Sequence, residues 1–108
     1  MLVLFDQSAP APLRGHLKGH IVIEARERGW DRLANGDLLQ GAEAAGFDVF
    51  VTADKNLRYQ QNFSARKLAI AVIGNAQWRV LRLHVERVVA AVDAAGPGSY
   101  TEVYVPFV

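Results

Sequence analysis

Three aspartates stand where apolar runs give way to polar sequence. Asp6 closes "LVLFD", Asp54 closes "VFVTAD", and Asp37 sits in "NGDLL" at the head of an apolar-periodic stretch. Together they form an oxygen-only donor set, which suits Mg²⁺ or Mn²⁺ rather than zinc. Carboxylates that converge repel one another unless a cation lies between them. A divalent ion held there polarises a scissile phosphate and lowers the pKa of a bound water. Each aspartate also has a plainer role taken singly. Asp54 can cap a short helix over 56–60, Asp37 favours a helix N-terminus, and Asp6 can cap the helix that Ser8 otherwise caps. Asp6 and Asp54 as a pair, each at the carboxyl end of a strand, read as a cluster rather than as two caps.

The neighbours of this set are polar in useful ways. Thr52 or Asn56 can orient a water or a carboxylate from behind. Lys55 can neutralise a phosphate or pair with a carboxylate. Arg58, Tyr59, Gln60, Gln61 and Asn62 offer a cation, a stackable ring and amides, which suit single-stranded RNA or a loop that satisfies its own backbone. Glu24 and Asn75 complete the polar residues expected at strand ends. His16 and His20 are four apart in "GHLKGH", but Gly15 and Gly19 argue for a helix end and a turn between them, not a zinc pair. Trp30 reads as a plug at the edge of the core, and Arg66–Lys67 as a solvated turn.

Positioning these groups requires strands that end together. Leu2–Phe5, Ile21–Ile23, Val49–Thr52 and Leu68–Ile73 are continuously apolar, as strands covered on both faces are. A fifth run, Thr101–Val105, alternates, with Val103, Val105 and Phe107 facing one way and Glu102 and Tyr104 the other, and suits an edge strand. Between the strands, Ser8 can cap a short helix with Pro10 in its first turn, and Asn35 a second that stops at Gly46. A long helix is expected from about Gln77 to Ala94, ending at "GPG". Alternating strands and helices predict a single three-layer α/β/α domain over 1–108, with a mostly parallel five-stranded sheet and right-handed crossovers. In such sheets ligands bind beyond the carboxyl ends of the strands, where strand order reverses.

Bulk composition narrows the classes. The chain has 108 residues, enough for one core, with 51% hydrophobic residues, 21% charged and a net charge of +1. That balance excludes a protein that coats nucleic acid indiscriminately but allows a local basic patch. The absence of cysteine excludes disulfide and thiolate chemistry. "MLVLF" is too short for a signal-peptide core and no apolar run reaches membrane-spanning length, so a complete cytoplasmic chain is expected.

"LFDQ", the segment "ERGWDRLANGDLLQGAEAAGFDVFVTADKNLRYQQN" and the following "LAIAVI" resemble the PIN-like domains, in their small bacterial branch related to PIN-domain ribonucleases. The resemblance covers nearly the whole chain. It implies a PIN-type fold whose acidic cluster holds Mg²⁺ or Mn²⁺ for hydrolysis of RNA. Asp6, Asp37 and Asp54 take the metal and catalytic places, and Lys55 and Arg58 are RNA-binding candidates. It also implies that the protein could be the toxin of a toxin–antitoxin pair, with an antitoxin or a second copy of itself as partner. The chain departs from the family in lacking the glutamate usual in a further helix. Gln7 and Asn75 are neutral where relatives can be acidic, and Glu24 is the available substitute. These departures keep a second class open, a binding or regulatory module that retains the fold without catalysis. A phosphoacceptor receiver fits less well, because Asp6 has no acidic neighbour and no lysine follows Lys67.

Overall fold

A computed structural model describes residues 1–57 and 66–107. Five strands, β1 (Leu2–Phe5), β2 (Ile21–Glu24), β3 (Val49–Thr52), β4 (Ala69–Ile73) and β5 (Tyr100–Val103), form one sheet. Their order is β2-β1-β3-β4-β5, and every neighbouring pair is parallel. The continuous apolar runs are explained by cover on both faces. On one face, Val3, Phe5, Val51, Ala71 and Ile73 pack against Leu13, Leu17, Val80, Leu81, Val88 and Val92. On the other, Leu4, Phe50, Ile70 and Val72 pack against Leu38, Leu39, Ala42 and Phe47.

The cover comes from short elements. A 3-10 helix at Ala11–His16 follows β1, and a second at Ala25–Arg28 follows β2. Helix α1 spans Asn35–Ala44, α2 spans Trp78–Leu81 and α3 spans Val85–Asp93. The helix expected over Gln77 to Ala94 is thus broken in two. At the break, Leu83 and His84 donate to carbonyls only three residues back, and Leu83 is 62% exposed. Packing, more than propensity, holds a helical turn in a protein, and Arg82–Leu83–His84 contributes no buried side chain to do so. Ser8 and Asn35 are not N-caps. Pro10 and Ala34 hold those positions without a side-chain bond, because the Ser8 hydroxyl and the Asn35 amide are engaged elsewhere.

The crossovers are not all right-handed. From β1 to β2 the chain steps one way along the sheet, over the face that carries Leu13 and Leu17. From β4 to β5 it steps the opposite way with α2 and α3 on that same face, so the two connections have opposite hands. The hydrophobic demand of that face supplies the reason. Among the described residues, the six-residue 3-10 helix at Ala11–His16 is the other helical element packed on it. Beyond β5, Val105 is buried as expected, but Phe107 is 63% exposed. Among the described residues no helix is long and apolar enough to cross a membrane.

Candidate functional site

β1 and β3 are adjacent and run in register, Phe5 opposite Val51, although β2 comes between them in the chain. Strand order reverses here. The segment leaving β1 sends Ala9 into one core layer, while the segment leaving β3 sends Leu57 into the other. Chains that part to opposite faces leave a crevice at the carboxyl edge, the place where ligands bind in such sheets. Asp6 and Asp54 stand on its two sides.

Their carboxylates are held by a dense set of donors. Asp6 Oδ1 accepts from Ser8 N at 3.0 Å, Ser8 Oγ at 2.6 Å and Ala9 N at 3.2 Å. Asp6 Oδ2 accepts from Thr52 Oγ1 at 2.5 Å. Fully buried, Thr52 also accepts from Asp54 N at 3.1 Å, so one hydroxyl ties both acidic residues together. Ser8 Oγ accepts from Ala53 N at 2.8 Å, which laces the β1 loop to the β3 loop. Asp54 Oδ1 accepts from Asn56 N, and its Oδ2 from Asn35 Nδ2, both at 3.0 Å. Each aspartate therefore does cap a turn. A carboxylate has about four lone-pair sites, so capacity remains on Asp54 and on Asp6 Oδ2.

Asp6 and Asp54 line one cleft of about 270 Å³, together with Ser8, Trp30, Asp31 and Asn35. A second cleft, of about 390 Å³, shares Asp6 and Asp31 and extends to Glu24 and Arg26. Asp31 is absent from the residues expected at the site, since it follows no strand. It reaches the crevice because Trp30 N–H closes a turn onto Ala25 carbonyl and the Trp30 ring packs edge-on against Phe47. Gln7 Nε2 donates to Asp31 carbonyl at 2.6 Å and fixes the approach. Asp31 follows the plug residue Trp30 directly, and that adjacency was the available signal.

No family model, no curated protein and no solved structure matches this chain. Geometry alone must therefore sort the expected residues. Asp6, Thr52 and Asp54 come together. Asp37 does not line the cleft; it stands at the third position of α1, where a carboxylate favours the helix dipole. Lys55 and Asn56 line a different groove, toward β5. Arg58, with Tyr59, Gln60, Gln61 and Asn62, lies outside the described residues. Glu24 lines the second cleft with Asp6 and is paired with Arg14 at 3.4 Å and Arg26 at 3.3 Å. Asn75 is buried, donating to Pro106 carbonyl and accepting from Gln77 N, so it pins the chain beyond β5. His16 lies against Trp78 and His20 binds Asp93, well apart in role.

Among the described residues no three acidic or histidine side chains converge closely enough to cage a metal ion. Mg²⁺, however, keeps several waters and commonly takes one or two carboxylates plus substrate phosphate rather than an all-protein cage. Asp6 and Asp54 match that smaller donor set. The Arg14 guanidinium, then Glu24 N–H, donate to the Glu27 carboxylate and hold its pKa below the ordinary carboxylate value of 4.5.

Proposed function

We propose that this chain is a PIN-like hydrolase of phosphodiester bonds in RNA, dependent on Mg²⁺ or Mn²⁺ and worked by Asp6 and Asp54. One observation carries the reading: carboxylates from two adjacent interior strands line a single cleft at the point where strand order reverses. The bound cation supplies polarisation of the phosphate and activation of water. The protein's share is orientation. Ser8 and Thr52 fix the rotamer of Asp6, while Asn35 and Asn56 N–H fix that of Asp54, so neither carboxylate must reorganise when substrate arrives. The same reading extends to the toxin of a cytoplasmic toxin–antitoxin pair, with an antitoxin or a second copy as partner.

A second reading, a binding or regulatory module without catalysis, draws on the position of Asp37. It is not among the residues that line the cleft, which leaves two strand-end acids there where the family resemblance implies three.

Thermal melts with chelator and with millimolar-scale Mg²⁺ or Mn²⁺, run beside cleavage of single-stranded RNA, separate the two. Wild type should gain stability with metal, about 2.7 kcal/mol at a hundredfold excess over Kd. Asp54→Asn should lose both that gain and cleavage, and Asp37→Asn should keep the gain. Cleavage that survives excess chelator sinks the metal mechanism. A metal-dependent melt without cleavage selects the binding module.

A further inference from the structure

We propose that the groove at the carboxyl ends of β4 and β5 seats one base of single-stranded RNA beside the Asp6–Asp54 cleft. The inference rests on the hydrolase reading of that cleft and names how its substrate is held. The groove encloses about 470 Å³ between Lys55, Asn56, Val72, Gly74, Glu102 and Tyr104, within the usual range of small-molecule sites. Lys55 follows Asp54 directly in the chain, so a strand whose phosphate meets Asp54 passes Lys55 next.

The walls suit a base. Tyr104 is 72% exposed, while Arg87 donates to its carbonyl at 3.2 Å and places its guanidinium 5.6 Å from the ring centroid. An exposed ring on an anchored segment just beyond β5 is a stacking platform that any base can use. Lys55 Nζ lies 4.6 Å over the Phe107 ring, joining the β3 loop to the chain beyond β5. That tail is held by Asn75 Nδ2 donating to Pro106 carbonyl and by Gly74, where an added Cβ would meet Val103 carbonyl oxygen at 3.0 Å.

Charge sets the direction of entry. Lys55 stands at the β3 end, next to the acidic cleft, and Glu102 stands two strands away on β5, in register with Val72. A phosphate is attracted to the first. A base, by contrast, brings N–H donors that a carboxylate can accept alongside its other contacts. Backbone at Lys55 and base toward Glu102 and Tyr104 is the arrangement that satisfies both.

The test is a fluorescence-anisotropy titration of a labelled single-stranded oligoribonucleotide in chelator, so that cleavage is silent. Tyr104→Ala should weaken binding about tenfold, and Tyr104→Phe should bind as wild type does. Unchanged melting temperatures of both variants show that the fold is intact. An oligonucleotide with one abasic nucleotide in its centre should bind wild type more weakly than the intact strand, and this penalty should vanish in Tyr104→Ala. Equal affinity of wild type and Tyr104→Ala for the intact strand overturns the groove. If RNA is cleaved with a KM that Tyr104→Ala does not move, the groove fails and the cleft reading stands. Tyr104-dependent binding without metal-dependent cleavage supports the groove and overturns the hydrolase.

Discussion

Thr52 Oγ1 donates to Asp6 Oδ2 and accepts from Asp54 N–H with no access to solvent. Replacing it by valine keeps the shape but leaves a carboxylate oxygen and a backbone N–H short of partners. Thr52→Val should therefore cost about 1–3 kcal/mol in urea unfolding, and Thr52→Ser, which keeps the hydroxyl, clearly less. The two aspartates should also differ. Asp6 accepts four hydrogen bonds on its two oxygens, so Asp6→Asn, which keeps one acceptor oxygen, should cost about 1–3 kcal/mol. Asp54→Asn should cost less in chelator, about 0.5–1.5 kcal/mol, because asparagine still caps the turn but gives up one of the two acceptor oxygens that Asn35 Nδ2 and Asn56 N–H use. Glu27 carries a pH prediction. Its folded pKa is depressed, so the stability it contributes is present above the ordinary value of 4.5 and lost as pH falls through the lowered one. Glu27→Gln should flatten that part of a stability–pH profile, and salt should shrink the difference, since the pair is exposed. Asp6, Thr52 and Asp54 were legible because a strand end aims its last residues at one edge. Asp31 was not, because its position depends on tertiary packing of Trp30.

Among the elements, α1 shows how an N-terminus can form without its usual side chain. Ala34 has extended N-cap geometry, φ −66° and ψ 157°, and offers no side-chain acceptor, while Asn35 is drawn away to Asp54. Ala34→Ser should raise stability by about 1 kcal/mol in chemical denaturation, since the backbone already has the capping conformation. Gly74 is the opposite case, a position where nothing larger fits without displacing backbone. Gly74→Ala should lower stability by about 1–3 kcal/mol, as overpacking does. Strand positions could be read because four or five apolar residues between polar flanks are too few for a helix and suit a strand buried on both faces. Caps and helix continuity could not. Ser8 and Asn35 have the right side chains for caps, but Ser8 Oγ accepts from the distant Ala53 N–H and Asn35 Nδ2 donates to the distant Asp54 carboxylate. The periodicity of Trp78, Leu81, Val85, Val88 and Val92 continues through a break that falls between its buried positions.

For the whole molecule, continuous apolar strands implied cover on both faces, and the all-parallel sheet has it. Strand order and crossover hand are nonlocal, and no residue pattern along the chain encodes them. The net charge of +1 also makes a prediction about RNA. Lys55 is the cation nearest Asp54 in sequence, and Arg26, beside the second cleft, is already paired with Glu24. Each phosphate neutralised on a single strand contributes roughly −0.7 to the slope of log binding constant against log salt. Lys55 alone therefore gives about −0.7, and Lys55→Ala should reduce the measured slope by about that amount.

The Asp6 amide donates to Val51 carbonyl at 3.2 Å, extending the β1–β3 ladder by one bond into the crevice. That bond joins two interior strands of the sheet, each flanked on its other side by a further strand. Hydrogen exchange at this amide should therefore need the same free energy, with the same denaturant dependence, as opening of the entire core. A crevice founded on such a bond has no loosened intermediate form. Heat or protease should remove its ligand-binding capacity only in the step that destroys the fold.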